Sequence, residues 1–467
     1  MASGVETVAL SAEAKSWIER ETGGRITSDE QQVRWREQHF ITVERGDQVF
    51  DLITRSGRDA LMVRHSELLS RRDIDHEARV LQALEGHDVR VPRILGFNEA
   101  ERIILMERLP GTNLLADAPD DRTRRQVMFE YYDELAKLHA LDVTAMQLDE
   151  IDIPSSPEDL AFAGKFQYNE RSYLNARARI QPDPLLDLGI WWLRSNYPRG
   201  ERPVAFVQGD TGPGQFMFAD GHLTGLIDWE LAHVGDPMLD LGVARMRNTL
   251  YPAGSLQEPI EHYDQVTGGA VDWEALGFYT VLSMLFTPLG VAPSLQRTTA
   301  ASGDVLARYE WDITLRRGLC DALAEVLDLD LDAPDLPEPT DGPATLADRL
   351  TDQLETNVRP CAQTDAEREE VDKAVSLARA LQLDARIGPA MVDADLNDMA
   401  EVLGSRPGSR ADGHAALVRL VDEQPEVHLE GLVRLFSRLE RRREHLWRPM
   451  MRDSASVPFE RLLPGRM

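Results

Sequence analysis

The segment FVQGDTGPGQFMFADGHLTGLIDWELAHVGDPMLDLG, from Phe206 to Gly242, contains the pattern that decides the fold. Asp210 lies in a glycine-rich loop, and Gln215 follows five residues later. The next stretch turns at Asp220-Gly221, a dipeptide typical of two-residue hairpin turns, and it ends at Asp228. Because a hairpin brings its two ends together, we expect Asp210, Gln215 and Asp228 to lie close to one another.

Two carboxylates and one amide at the mouth of a hairpin are the groups that phosphoryl transfer requires. That reaction needs a carboxylate to orient the attacking hydroxyl and oxygen ligands to hold Mg²⁺ on the phosphates. The nearby glycines do not form a Walker A loop, because no Gly-Lys-Ser/Thr follows them. They also precede a strand and not a helix, which excludes a dinucleotide-binding loop. The alternative is that Asp210 and Asp228 only stabilise turns.

The residues before this segment predict a small antiparallel sheet with one inserted helix. From His39 to Ser66, apolar and polar residues alternate, with turn signals at Gly46 and Ser56-Gly57. Residues 71–87 predict a helix, because apolar residues recur there every three to four positions. The stretches VRVPRILGF and RIILMERLPG predict two further strands. A short leading helix is expected at residues 11–21.

The residues from about 123 to 330 are mainly helical in pattern, apart from the hairpin. Residues 275–296 are uncharged and long enough to cross a bilayer, but glycine, proline and hydroxyl residues interrupt them. We therefore predict a buried core helix followed by a loop. Residues 328–344 are rich in Pro and Asp and predict a linker, and several amphipathic helices are expected after it.

Composition limits the classes of partner and compartment. The net charge of −29 argues against general binding to nucleic acid or to anionic membranes. The basic run from Arg438 to Arg448 is interpreted as the solvated face of a helix. Cys320 and Cys361 match no metal or redox spacing, and no secretion signal is visible at the N-terminus. We therefore predict a cytoplasmic protein.

The segment from Phe206 to Gly242 resembles the catalytic region of the aminoglycoside phosphotransferase and choline kinase superfamily. The motif of that superfamily reads H-G-D-x-x-x-x-N, then a hairpin, then I-D-[WF]-E. The sequence motif D-W-E-L-A-H-x-G-D-P-x-x-D-L is most similar to that of the kinase-like domains associated with acyl-CoA dehydrogenases. The resemblance covers roughly residues 35–325. It implies a protein-kinase-like two-lobed α/β (α+β) fold that uses ATP and Mg²⁺.

By this resemblance, Asp210 is the catalytic base or hydroxyl-orienting residue, and Asp228 is the principal magnesium ligand. Gln215 occupies the second metal-ligand position, and Asp240 braces the catalytic loop. The sequence departs from the motif twice, since Gln208 replaces the histidine and Gln215 replaces the asparagine. The extra methylene of Gln215 moves its amide oxygen, and Mg²⁺ tolerates little distortion of its octahedral coordination. Weakened metal binding is therefore an open alternative.

A site of this kind also needs a cation on the third strand, paired with a helix glutamate, to hold the phosphates. No lysine occurs between Lys15 and Lys137, so we expect Arg64, at the end of the predicted strand ALMVR, to provide the charge. Glu77 lies beside the apolar stripe of its helix and needs a partner, which Arg64 would supply. An ordinary surface ion pair is the alternative.

The resemblance also implies where the nucleotide base and its phosphates bind. Backbone atoms of Glu107 and Leu109 would contact the adenine edge, behind Met106. The turn Arg45-Gly46-Asp47 would cover the phosphates, although it contains one glycine only.

These inferences lead to one domain organisation and one leading function. The predicted domains are an N-terminal helical extension (1–34), an N-lobe with an antiparallel sheet and one helix (35–110), a mainly helical C-lobe with the catalytic hairpin (111–327), a linker (328–344) and an all-helical C-terminal domain (345–467). The predicted function is transfer of phosphate from ATP to a hydroxyl of a small molecule. The acceptor would be a hydroxy acid, a hydroxyacyl thioester or an aminoglycoside-like polyol. The rival is a catalytically weak pseudokinase that binds a nucleotide or metabolite.

Overall fold

The computed structural model describes residues 10–33, 36–58, 68, 71–146, 151–296, 305–339, 342–451, 454 and 457–463. The chain divides into two compact units. The first unit comprises Met1–Tyr168, Pro198–Ala244 and Ala253–Val271. The second unit comprises Asn169–Tyr197, Arg245–Pro252 and Asp272–Met467.

The first unit opens with a five-stranded antiparallel sheet in the order β1-β2-β3-β5-β4. Its elements are α1 (Ala12–Thr22), β1 (Arg25–Val33), β2 (Glu37–Arg45), β3 (Gln48–Ser56), α2 (Ile74–Leu84), β4 (Ile94–Asn98) and β5 (Ile103–Glu107). The predicted sheet with one inserted helix is present, and the leading helix is confirmed as α1. The strand β1 was not predicted from the sequence. Residues 59–66, the end of the predicted strand region, lie outside the described residues.

One face of this sheet packs against α1. Alternate residues of β2, among them Ile41 and Val43, are buried in one cluster with Trp17 and Ile18 of α1. The side chain of Ser11 accepts a hydrogen bond from the backbone of Ala14 at 2.9 Å and caps the start of the helix. The period-two burial of β2 is the physical basis of the alternation seen in the sequence.

The remainder of the first unit carries the hairpin that leads from Gln215 to Asp228. Its elements are α3 (Asp121–His139), α4 (Pro157–Ala161), the start of α5 (Lys165–Ala176), β6 (Ala205–Val207), β7 (Phe216–Ala219), β8 (His222–Leu226), β9 (His233–Gly235), the start of α7 (Pro237–Asn248) and α8 (Gln257–Val266). Strands β7 and β8 form the predicted antiparallel hairpin. Asp220 and Gly221 both have positive φ angles, 52° and 80°, as a two-residue hairpin turn of this type requires. Strand β6 pairs with β9.

The second unit is helical in the part of it that the structure describes. Its helices are α6 (Pro184–Asn196), α9 (Trp273–Leu295), α10 (Val305–Val326), α11 (Leu346–Gln353), α12 (Asp365–Leu403), α13 (Arg410–Glu423) and α14 (Pro425–Trp447). Helix α9 is long and apolar enough to cross a membrane, but 89% of its most apolar window is buried inside the protein. This agrees with the predicted core helix, although the helix continues through Pro288 to Leu295 and is not replaced there by a loop.

The basic run of α14 is not the solvated face that the sequence predicted. Arg442 is buried and donates to Asp395 at 2.9 Å. Glu440 of the same helix accepts from Arg316 of α10 at 2.6 Å, and Arg443 donates to Asp312 at 2.6 Å. These arginines therefore neutralise carboxylates of α10 and α12. Residues 329–339 contain no helix or strand, and an independent domain after 344 stays a prediction.

Candidate functional site

The loop that carries Asp210 is held by hydrogen bonds to Asp240, as the resemblance implied. Asp240 is fully buried, and its two carboxylate oxygens accept from the backbone N–H groups of Gln208 (2.9 Å) and Gly209 (2.8 Å). His139 lies 3.0 Å from the same carboxylate. A side chain at Gly209, whose φ is 78°, would lie 2.4 Å from a backbone oxygen of Leu231. The loop is therefore held in one conformation that requires glycine at this position.

Gln208, which replaces the histidine of the motif, uses both ends of its amide. Its Nε2 donates to the backbone oxygen of Ile227 at 2.7 Å, directly before Asp228. Its Oε1 accepts from the hydroxyl of Tyr131 at 3.2 Å. That hydroxyl in turn accepts from the backbone N–H of Gly212 at 2.8 Å. Gln208 and Tyr131 thus connect the two ends of the hairpin through buried hydrogen bonds.

The hairpin brings Asp210, Gln215 and Asp228 together as the spacing predicted. The Nε2 of Gln215 donates to Asp210 Oδ2 at 2.5 Å. The backbone oxygen of Gln215 accepts from the N–H of Ile227 at 3.0 Å, which places Gln215 next to Asp228. Asp228 itself has a left-handed backbone conformation, with φ 66° and ψ 64°. This conformation is unusual for a residue with a side chain and is common at functional sites.

An arginine of β3 connects this hairpin to helix α2. Arg55 donates to Asp228 Oδ1 at 2.9 Å and forms an ion pair with Glu77. Glu77 is almost fully buried, and Arg36 lies 3.6 Å from its second carboxylate oxygen. Burial raises the pKa of Glu77, and the charges of Arg55 and Arg36 act in the opposite direction. Burial alone would lower the pKa of Arg55, but the nearby carboxylates outweigh it and raise that pKa.

A sequence model of the phosphotransferase enzyme family, APH, matches residues 39–279, more than half of the 467 residues. The chain belongs to this family. The predicted family and its kinase-like two-lobed fold with a helical C-terminal part are thereby confirmed.

Individual relatives within and around this family are distant. Acyl-CoA dehydrogenase family member 10 of Mus musculus is 27% identical over 185 residues, and these cover 36% of this chain and 16% of that protein. The chain therefore matches less than a fifth of the length of this relative. Among solved structures, macrolide 2′-phosphotransferase from Brachybacterium faecium has 20% identity and a TM-score of 0.45, covering 64% of this chain and 96% of that one. A thermostable mutant of aminoglycoside phosphotransferase APH(4)-Ia, in a ternary complex with ADP and hygromycin B, has 13% identity and a TM-score of 0.46, covering 67% and 98%.

Arg55 was missed in the sequence, where Arg64 was expected to pair with Glu77. Arg64 lies outside the described residues, so its position stays untested. A period-two pattern in β3 could have indicated Arg55. Leu52 and Thr54 are buried on one face of the strand, and Leu52 belongs to the cluster around α1. Arg55 therefore points to the opposite face, and this is where it contacts Glu77.

The turn Arg45-Gly46-Asp47, predicted to cover the phosphates, is far from Arg55 along the sheet. It joins β2 to β3, and Arg45 pairs with Gln48 at its base. Arg55 is seven residues after Gln48 in β3, which corresponds to about 23 Å of extended strand. Arg55 is paired with Gln38 instead, at the end of the sheet where β1 turns into β2. The turn and Arg55 are therefore at opposite ends of β3, and the phosphate-covering role of residues 45–47 stays a prediction.

The predicted adenine-binding segment follows β5 and is connected to the hairpin. Met106 is buried within β5, and the strand ends at Glu107. Leu109 packs over Gly225 of β8, where an added side chain would come within 2.8 Å of it. Thr112 exchanges two backbone hydrogen bonds of 3.0 Å with Phe218 of β7. Leu109 and Thr112 therefore lie beside the hairpin that carries Asp228.

The donor set at the hairpin suits magnesium held partly by other ligands. In the described part of the chain, no three His, Cys, Asp or Glu side chains converge on one metal position. The oxygen donors at the hairpin are two carboxylates, from Asp210 and Asp228, and the amide of Gln215. Mg²⁺ usually keeps several waters and binds one or two carboxylates together with substrate phosphates. The side chain of Asp228 is 30% exposed, so it is accessible for such coordination.

Proposed function

We propose that this protein transfers the γ-phosphate of ATP to a hydroxyl group of a small molecule in a magnesium-dependent reaction. The observation that carries the proposal is the chain of contacts from Glu77 through Arg55 to Asp228. It ends at a hairpin where Gln215 joins Asp228 to Asp210. These are the positions that a phosphoryl-transfer site of this kind requires.

In this proposal each polar residue has one task. Asp210 accepts the proton of the acceptor hydroxyl as that oxygen forms its bond to the γ-phosphorus, while the bond to the β–γ bridging oxygen breaks. Asp228 and Gln215 would hold Mg²⁺, which neutralises charge on the phosphates when bound. Arg55 binds the α- and β-phosphates, and Glu77 keeps its guanidinium in position.

The nucleotide base is proposed to bind at the end of β5. Backbone atoms of Glu107 and Leu109 would contact the adenine edge, and Met106 would lie behind it. The acceptor is proposed to be a hydroxy acid, a hydroxyacyl thioester or an aminoglycoside-like polyol. The net charge of −29 favours approach of a cationic acceptor.

Two variants test the proposal by separating binding from transfer. Asp228→Ala should abolish the magnesium-dependent part of ATP binding, measured as a thermal shift. Asp210→Asn should keep this shift and lose ATP consumption, because the residue acts on the acceptor hydroxyl. If Asp228→Ala shows the same Mg-ATP shift as the parent protein, the metal assignment is wrong.

A third variant separates an active enzyme from a pseudokinase. Gln215→Asn restores the residue of the motif, so an active enzyme should show a changed magnesium requirement with turnover still measurable. ATP consumption is compared across a broad acceptor panel, with Asp210→Asn as the blank. A parent protein that binds Mg-ATP but turns over no faster than this blank would establish the pseudokinase instead.

A further inference from the structure

Glu230 is part of the I-D-W-E motif but has no task in the proposed reaction. It lies two residues after Asp228, in the short helical turn Trp229–Leu231. Both of its carboxylate oxygens accept from Arg58 Nη2, at 2.7 and 2.8 Å. Arg36 donates to the same carboxylate. The side chains of these three residues are at most 16% exposed, so the ion pairs are shielded from water.

Both arginines are also held from the side of helix α2. Arg36 lies 3.4 Å from a carboxylate oxygen of Asp73, the residue before α2, and Arg58 lies 3.6 Å from it. The backbone N–H of Arg58 also donates to Asp73, at 3.3 Å. Asp73 is fixed in turn by Arg102 at 2.7 Å. Arg36 and Arg58 therefore connect the start of α2 to the turn after Asp228.

We propose that Arg36 and Arg58 are positioning residues that hold Glu230, and through it keep the carboxylate of Asp228 where magnesium is bound. The inference rests on the proposed function. A residue with a side chain at φ 66° is disfavoured unless its surroundings fix it. One hydrogen bond spans Asp228: the buried indole N–H of Trp229, the next residue, donates to the backbone oxygen of Leu226 at 3.2 Å. The contacts of Glu230 fix the remaining end of this turn.

The proposal separates two parts of nucleotide binding. Arg55 and the segment after β5 do not depend on Glu230 for their own contacts with a nucleotide. Releasing Glu230 lets the turn relax, so the carboxylate of Asp228 spends less time in its binding position. The magnesium requirement should therefore rise, while binding of metal-free nucleotide should change little. A merely structural role would weaken both to a similar extent.

The experiment measures ATP binding by calorimetry over a range of magnesium concentrations and, separately, in excess EDTA. Glu230→Gln keeps the shape and removes the charge, and Arg58→Gln removes the guanidinium whose Nη2 contacts both oxygens of Glu230. We expect each to raise the half-saturating magnesium concentration at least tenfold and to change metal-free affinity less than twofold. Arg386→Gln is the control, because it removes an arginine–carboxylate pair, with Asp348 of α11, that does not involve Asp73 or Glu230. Both of its values should stay within twofold of the parent.

Each outcome decides the proposal. Arg58→Lys keeps the charge but replaces two terminal nitrogens, one near Glu230 and one near Asp73, with a single nitrogen, so it should raise the magnesium requirement about threefold. This variant decides the proposal if Glu230→Gln does not fold. An unchanged magnesium requirement in a folded variant, or an equal loss of metal-free binding, overturns the positioning role alone. A parent protein that shows no magnesium-dependent ATP binding overturns the proposed function and this inference together.

Discussion

Tyr131→Phe tests the hydrogen bonds that join the two ends of the hairpin between Gln215 and Asp228. The substitution removes one oxygen and leaves the ring, which packs against Phe216 with a centroid distance of 4.8 Å. The lost hydroxyl accepts from Gly212 N–H and donates to Gln208 Oε1. Tyr131 is fully buried, so water cannot replace either contact without entering the core.

The expected loss of stability follows from these two buried partners. A buried polar group that loses its partner costs about 1–3 kcal/mol, so two such groups predict a loss of about 2–6 kcal/mol. Gln208 also supports Ile227, next to Asp228. If the proposed function holds, the variant should therefore lose ATP turnover in addition to stability.

Urea denaturation and ATP consumption measure the two effects. Tyr309→Phe is a suitable control, because Tyr309 is half-buried and stacks on Trp447, and no hydrogen bond of its hydroxyl is seen among the described residues. It should lose less than about 0.5 kcal/mol. If Tyr131→Phe is no less stable than this control, its hydroxyl does not bridge Gly212 and Gln208, and the reasoning fails.

Two further predictions concern pH and the C-terminal helices. Burial, together with the charge of Arg72, lowers the pKa of His233 to about 4, so on acidification the unfolded chain binds a proton at this residue before the folded protein does. The free energy of unfolding should therefore fall by about 3 kcal/mol as the pH drops from about 6.5 to 4. His233→Gln should reduce this pH dependence, measured by urea denaturation at each pH. Truncation after residue 335 removes Glu444, the partner of Arg317, and Glu440, one of the two carboxylate partners of Arg316, whose other partner Asp183 remains. It also uncovers Ile313 of α10, which is buried against Ala380 and Met450, so we expect the fragment to be insoluble. A soluble, protease-resistant fragment would instead support the domain boundary predicted at 328–344.

The hairpin between Gln215 and Asp228 could be predicted because its signals are local. Asp220-Gly221 fixes the turn, and the two-residue period of the flanking strands fixes which ends meet. The roles of Asp210, Gln215 and Asp228 came from the resemblance and stay proposals. Their proximity, by contrast, followed from the hairpin alone and is seen in the hydrogen bonds of Gln215.

The contacts around Arg55 could not be predicted because they depend on sheet register. The position of Arg55 opposite Gln38, at the β1–β2 end of the sheet, follows from pairing over many residues. Strand β1 was not predicted, so that end of the sheet had no partner for β2 in the sequence analysis. The same limit applies to α14, whose arginines pair with carboxylates more than 40 positions away in the chain.

The two departures from the family motif have different consequences for the rival pseudokinase. Glutamine at 208 keeps a donor to the backbone before Asp228, and it adds an acceptor that Tyr131 satisfies. Hydrogen bonds therefore hold both ends of the Gln208 amide, so the replacement of the motif histidine gives no reason to expect a weaker site. Glutamine at 215 is different, because its nitrogen is held by Asp210, and its longer side chain sets where the amide oxygen can reach. The choice between an active and an inactive protein therefore depends on Gln215, the residue that the magnesium titration of Gln215→Asn tests directly.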